Sequence, residues 1–490
     1  MKRVLLCLLA TQARSGDILF EDHSHMLGAH AYAGGWEHFV GGGVAVFDCN
    51  ADGLPEIFAA GGTEPAALFR NAGGMSFIPA DFPKITGSTG AYPLDFDGDG
   101  SLDLIVLRVG ENIVLRGDNA CGFARANEDW SYDGGDEWTT AFSATWDANK
   151  LITAEGAYVD REDPDGPFEA CDNNRLVHWS NTPIIETLAP GYCALSMLFA
   201  RDATQTIRLR ISNDRHYYVR DGAEQMYDLQ ESRFLGPQDG WETVRLWGMG
   251  IASRDITGDG RSEVMLTSMG DQLVQIAQAD GTYVRAPFEL GTYAQRPHTG
   301  DDGRPSTGWH AEFADINNDG RADLFIAKGN VDQMPGLAME DPNSLLVQRS
   351  DGTFQEVSVT AGVATTERAR GAALADFDAD GRLDLLVLNR RAPLELYRNV
   401  TPDTGQWLQL ELDQTGPNRR AVGALVQVTT EEGTQIQEVT VGGGHAGGQA
   451  GPLHFGLGDA TTATVRVTWP NGDVTEWAGM ASDQRLLLRP

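Results

Sequence analysis

Basic residues are scarce in this sequence: 37 Lys and Arg stand against 70 Asp and Glu in 490 residues, for a formal net charge of -33. A nucleic-acid binder presents a basic face. No Lys/Arg cluster here can form one, which argues against nucleic acid and anionic lipid as partners. Lysine is almost missing, with Lys2, Lys84, Lys150 and Lys328 the whole set. Long apolar runs are missing too. No stretch approaches the ~18 apolar residues of a membrane-spanning helix, so no transmembrane segment is expected. The five cysteines match no zinc spacing. G-x-S-x-G, H-E-x-x-H, Walker and Rossmann patterns are absent, and no catalytic residue is assigned. With 70 acidic residues, a carboxylate pair suited to glycoside chemistry carries no information.

Glycine, by contrast, is abundant, with 58 residues, or about 12% against a usual ~7%. That excess points to many tight turns and a β-rich fold. The length is too great for one ordinary core and predicts repeats or two domains. Residues 1–13 read as a brief secretory signal: Lys2 and Arg3, then apolar Val4 to Ala10, then Thr11-Gln12-Ala13 as a small-x-small cleavage site. A secreted, periplasmic or extracellular location follows. Export permits disulfides among Cys49, Cys121, Cys171 and Cys193, which allow three pairings; Cys171 with Cys193 is the preferred pair.

One pattern, D-x-[DNT]-x-D-G-x-x-[DE], occurs five times. Its polar positions are Asp48, Asn50, Asp52, Glu56; Asp95, Asp97, Asp99, Asp103; Asp255, Thr257, Asp259, Glu263; Asp315, Asn317, Asp319, Asp323; and Asp376, Asp378, Asp380, Asp384. Asp147 and Asp202 head two worn copies that have lost the glycine and the later carboxylates. First positions at 48, 95, 147, 202, 255, 315 and 376 lie 47 to 61 residues apart. Seven such units with strand-like segments predict a β-propeller of about four strands per blade.

The rival reading is an EF-hand, which needs a bidentate Glu at position 12 and flanking helices. Here position 12 is Ala59, Val106, Leu266, Ile326 or Val387, all apolar and all in strand-like runs. The last carboxylate comes at position 9 instead. Carboxylates at positions 1, 3, 5 and 9, with a backbone carbonyl at 7, form a hard-oxygen set suited to Ca²⁺. About five Ca²⁺ sites are expected, each pinning two strands. Without a cation, carboxylates packed within ~4–6 Å raise one another's pKa.

These loops resemble the FG-GAP/VCBS repeats of integrin α-chain propellers. "ALSMLFARD", "ISNDRHYYVRDGAEQ", "GMGIASRDITGDGR" and "RPSTGWHAEFADINNDG" resemble bacterial relatives of cartilage acidic protein. The repeat stops near Asn399, and "TPDTGQ" (401–406) reads as a linker. Residues 407–490 alternate apolar and polar residues. At "NRRAVGALVQV", "GGGHAGGQ", "LHFGLGD" and "VTWPNG" they resemble an ASPIC/UnbV domain, which implies a β-sandwich-like fold. The expected architecture is therefore all-β: a seven-bladed β-propeller over 14–400 and a small β-sandwich-like domain after it.

Asn213, Arg215, His216, Tyr217 and Tyr218, with Trp309 and His310, are candidates for lining a ligand channel through the propeller. Their tyrosines would stack on a carbohydrate or peptide. His23, His25, His30 and His38 suit an exposed segment capping the propeller, and "GGGHAGGQ" around His445 reads as a turn-rich strand connection. The sequence thus predicts a calcium-stabilised binding or adhesion module for a glycan or protein. The alternative is a propeller-based lyase, hydrolase or biosynthetic accessory protein.

Overall fold

A computed structural model describes residues 17–163, 169–214, 222–300 and 303–490. The signal reading at 1–13 and the candidates Arg215, His216, Tyr217 and Tyr218 lie outside the described residues. The chain is all-β and adopts the propeller class. Seven consecutive sheets form, each with at least four strands. One sheet, for example, holds Ser88–Leu94, Asp103–Arg108, Ile113–Gly117 and Phe123–Arg125. The first strand of each sheet contacts the first strand of the next, and the first sheet contacts the last, so the set closes into a ring.

The ring is locked by chain ends. Phe20–Asp22 adds as an antiparallel outer strand beside Glu395–Asn399, with Phe20 opposite Asn399 and Asp22 opposite Tyr397. An early strand thereby completes the last sheet. Propeller strands such as Asp103–Arg108 and Asp384–Asn389 are buried along nearly their whole length. Each is covered on both faces by neighbouring sheets, which is why they read as continuous apolar runs.

The C-terminal unit shows the other pattern. Leu425–Thr429 and Thr462–Thr468 alternate buried and accessible residues, as a sheet with one covered face must. Two sheets form. One orders Leu453–Gly458, Gln406–Leu412 and Gln484–Leu488; the other orders Thr434–Glu438, Leu425–Thr429, Thr462–Thr468 and Val474–Ala481. Leu408, Leu410, Val426, Val428, Phe455, Val465 and Trp469 pack between them. Its first strand begins at Gln406, inside the segment read as linker.

This unit caps the propeller. Its segment 441–450 leaves the sandwich and enters the propeller's centre. There Val46 and Phe47 pair in parallel with Gln449 and Ala450. Isolated bridges join Ala91 to Gly447, Ala144 to Val441, Leu198 to Gly442 and Ile251 to Gly444. Five sheets thus contribute an inner strand to holding one glycine-rich plug. Glycine is required on both sides of the contact. A Cβ on Gly90 would lie 1.5 Å from the Ala446 carbonyl oxygen, and one on Gly447 would lie 2.0 Å from that of Val44.

Among the described residues two disulfides form, Cys49–Cys121 and Cys171–Cys193. The first ties the first repeat loop to the next sheet.

Candidate metal sites and the filled channel

Each of the five loops joins the first and second strands of its sheet, and the same backbone pattern builds each one. The position-6 glycines, Gly53, Gly100, Gly260, Gly320 and Gly381, have φ between 82° and 95°, a region glycine enters without strain. Their N–H groups donate to the position-1 carboxylates of Asp48, Asp95, Asp255, Asp315 and Asp376 at 2.7–3.0 Å. The position-5 carboxylates accept the N–H of position 7, as in Ser101 to Asp99 at 2.7 Å and Arg382 to Asp380 at 3.0 Å.

The position-9 carboxylates are buried at the base of the turn. Each accepts the N–H of position 2: Cys49 to Glu56, Phe96 to Asp103, Ile256 to Glu263, Ile316 to Asp323 and Phe377 to Asp384, at 2.8–3.0 Å. The aspartates also accept from the third strand, as in Asn399 to Asp384 at 2.8 Å. Position 9 thus stitches three strands.

Position 3 varies. Asn50 and Asn317 donate their amides to Asp52 and Asp319, Asp97 and Asp378 bring a fourth carboxylate, and Thr257 lies exposed. Carboxylate oxygens of Asp95, Asp97 and Asp99 gather within 4.8 Å of one another, as do those of Asp376, Asp378 and Asp384. Cys49, Glu56 and Cys121 gather likewise, but both thiols there are spent in a disulfide.

Burial dominates the electrostatics. It raises Glu56, Asp103, Glu263 and Asp315 to about 7 and Asp95 and Asp376 to about 6, and it pushes Asp323 and Asp384 well up. Neighbouring carboxylates of the same loops add to the rise. Arginines offset part of the charge. Arg398 reaches Asp378 at 2.7 Å and Arg116 reaches Asp97 at 3.2 Å, while Arg261, Arg321 and Arg382 fold back on Asp259, Asp319 and Asp380. Even so, Oε1 of Glu56, Oε1 of Glu263 and Oδ1 of Asp378 are buried with no hydrogen-bond partner. Such oxygens are costly unless something donates to them, and a hard divalent cation fits this donor set.

The two worn copies behave differently. Asp147 ends the strand Thr139–Asp147, and Lys150–Ala157 follows after a tight turn. Asp202 accepts the N–H groups of Thr204 and Thr206 at 2.8 and 3.1 Å and the Arg208 guanidinium at 3.2 Å.

The expected ligand channel is filled by the chain itself. Trp309 is fully buried. Its ring lies under the Arg370 guanidinium at 3.9 Å and 5.0 Å from the His445 ring, and its Nε1 donates to Gly329 O at 2.8 Å. His310 Nδ1 accepts from the His445 N–H at 3.2 Å. His445, read from sequence as part of a turn-rich strand connection, sits fully buried in the plug. It accepts at Nε2 from Gly41 N–H and contacts Met249 O through Nδ1, and burial lowers it to about 3. Asn213 ends a strand and donates to Ala223 O and Gln225. The other mouth is crossed by residues 38–43. Arg390 and Arg370 donate to the carbonyls of His38 and Phe39, and Gly42 and Gly43 donate to Thr89 O. His38 is buried there, against the exposed segment read from the sequence, while His25 is exposed and His23 and His30 are half-buried.

Sequence reasoning also missed the cap's contacts with the metal loops. Gln409 donates to Asp376 at 2.9 Å, Arg485 donates to Gly53 O at 2.6 Å, and His454 bonds Asn318 at 2.6 Å. These residues follow no local pattern; only the fold brings them to the loops.

The families whose models match agree with this architecture. The chain carries FG-GAP-like repeats over residues 48–106, 255–326 and 336–387, and an ASPIC and UnbV domain over 414–490. Cartilage acidic protein 1 of Mus musculus is 27% identical over 179 residues, 36% of this chain, and that of Homo sapiens is 27% identical over 163, 32% of this chain. The match spans 27% and 24% of those proteins, about a quarter of their length. Among solved structures, BP39L lectin from Burkholderia pseudomallei aligns with TM-score 0.45 and 12% identity, covering 73% of this chain and 96% of the lectin. YCF48 bound to D1 peptide aligns with TM-score 0.42 and 9% identity, over 79% and 99%. Among the described residues no helix is long and apolar enough to cross a membrane. Two disulfides suit an oxidising, extracellular setting.

Proposed function

We propose that this protein is an exported, calcium-stabilised propeller that serves as a binding or adhesion module for a glycan or protein. The observation that carries the reading is the set of five turns with buried carboxylates, three of whose oxygens have no partner. Positions 1, 3, 5 and 9 of each turn would hold the ion, and the ion would supply the positive charge that burial otherwise denies these groups. Stabilisation by an ion present at 100 times its Kd amounts to about 2.7 kcal/mol per site. Several sites then match the ~5–15 kcal/mol margin of a domain.

The cap rests on the same turns and fills the channel, so a partner binds the blade edges or the face away from the cap. Native mass spectrometry in millimolar calcium should count about five ions, and a glycan array probed with and without calcium should show calcium-dependent retention. A folded sample with no bound calcium overturns the metal reading. Retention that ignores calcium separates the metal from the binding.

A further inference from the structure

Between the cap and the propeller's inner strands lies a cavity of about 330 Å³, within the size range of small-molecule sites. Its charged walls are unequally satisfied. Glu312 accepts from Gln449 at 2.7 Å and from the Leu374 N–H at 3.1 Å. Glu438 accepts the Arg201 N–H at 2.9 Å. Asp376 holds the N–H groups of Asp380 and Gly381 and the Gln409 amide.

Arg254 and Arg420 line the same cavity, and neither guanidinium makes a hydrogen bond or close ion pair among the described residues. Asp255 and Asp315 attract the first, and Glu411, Asp48 and Asp95 the second, only at longer range. A guanidinium has five N–H donors and no acceptor. The unused hydrogen-bonding capacity of these two arginines is therefore donor capacity, in a partly enclosed space whose other charged lining groups, Asp95, Glu312, Asp376, Glu411, Glu438 and Arg419, each already hold a hydrogen-bond partner. Its complement is an anionic oxygen, and carboxylate, phosphate and sulfate all match the guanidinium fork.

We propose that the cavity between cap and propeller binds a small oxyanion-bearing molecule, with Arg254 and Arg420 as its anchors. Such a ligand would touch both units at once and tie the cap to the ring. It does not depend on the glycan or protein partner proposed above.

The test uses the full chain saturated with calcium. Calorimetry and thermal shift are run with succinate for the carboxylate class and sulfate for the tetrahedral class, chloride matching the ionic strength. At least one should bind saturably with a Kd below about 1 mM. Arg254→Gln and Arg420→Gln should each weaken it about tenfold or more. Arg254→Lys and Arg420→Lys keep the charge but lose the fork, and should fall between; they decide the matter if a glutamine variant does not fold. The idea is overturned if neither anion acts beyond chloride, or if the folded variants bind as the parent does. The calcium count by mass spectrometry is independent of either result.

Discussion

The turns at Asp376–Asp384 and Asp202–Arg208 occupy the same place in their sheets, yet they handle charge differently. The first packs Asp376, Asp378, Asp380 and Asp384 against two cations, Arg382 and Arg398. Four minus two leaves a double negative charge, the charge one calcium ion balances. The second keeps one loop carboxylate, and Arg208 holds both Asp202 and Asp228. The strands flanking both turns pair in the same antiparallel way. The turn itself therefore forms without a crowded carboxylate set, and the proposed ion answers to the carboxylates rather than to the turn.

Four measurements would break or sharpen that contrast. Chelation should have the largest effect, lowering Tm by on the order of 10 °C in graded steps as several sites empty; an unmoved Tm ends the metal reading. Asp384→Ala comes next, at about 3 kcal/mol, because it strips a ligand and leaves the buried N–H groups of Phe377 and Asn399 unpaired. Denaturant melts with and without calcium should show a smaller loss in chelator.

Arg208→Gln should cost about 1–2 kcal/mol, equally with and without calcium, because its partners belong to a turn without the ligand set. A loss confined to calcium-loaded protein would place a metal there.

The last effect is a change in the slope of stability with pH. Without calcium, Glu56, Asp103, Glu263 and Asp315, raised to about 7 by burial, bind protons in the folded state that the unfolded chain releases near pH 4. Stability from them is present at low pH and is lost as pH rises towards 7, by up to about 1 kcal/mol per unit for each group. His445 and His454, lowered by burial to about 3, act oppositely: their stability is present above about 6.5 and is lost as pH falls towards 3. In chelator the carboxylates outnumber the histidines, so melts between pH 5 and 6.5 should show stability falling with pH. In calcium the loop carboxylates no longer take up protons, while the histidines and the carboxylates outside the loops (Asp172, Glu224 and Glu438, raised by burial to about 7, 8 and 7) still titrate, so the fall with pH should become markedly shallower. Equal slopes in both buffers would refute the account.

The five turns were legible because each is local. A glycine at position 6 and carboxylates two residues apart fix the loop whatever surrounds it, and apolar runs such as Leu104–Leu107 announce strands covered on both sides. The left-handed residue at position 4 was not legible, since Ala51, Gly98, Gly258, Asn318 and Ala379 all fill it and share no chemistry. The channel was misread for a related reason. Trp309, His310 and "GGGHAGGQ" were each visible, but nothing local says that His445 lies against Trp309, 136 residues earlier in the chain.

The sequence alone determined the repeat, its all-β character and the oxygen-rich turns, because hydrogen bonds and sterics within nine residues decide them. Tertiary structure decided where the cap sits, what fills the centre of the ring and which arginines are left without partners. Those outcomes depend on shape and charge meeting across distant parts of the chain. There a missing Cβ at Gly90 or Gly447 matters only because another backbone occupies its space.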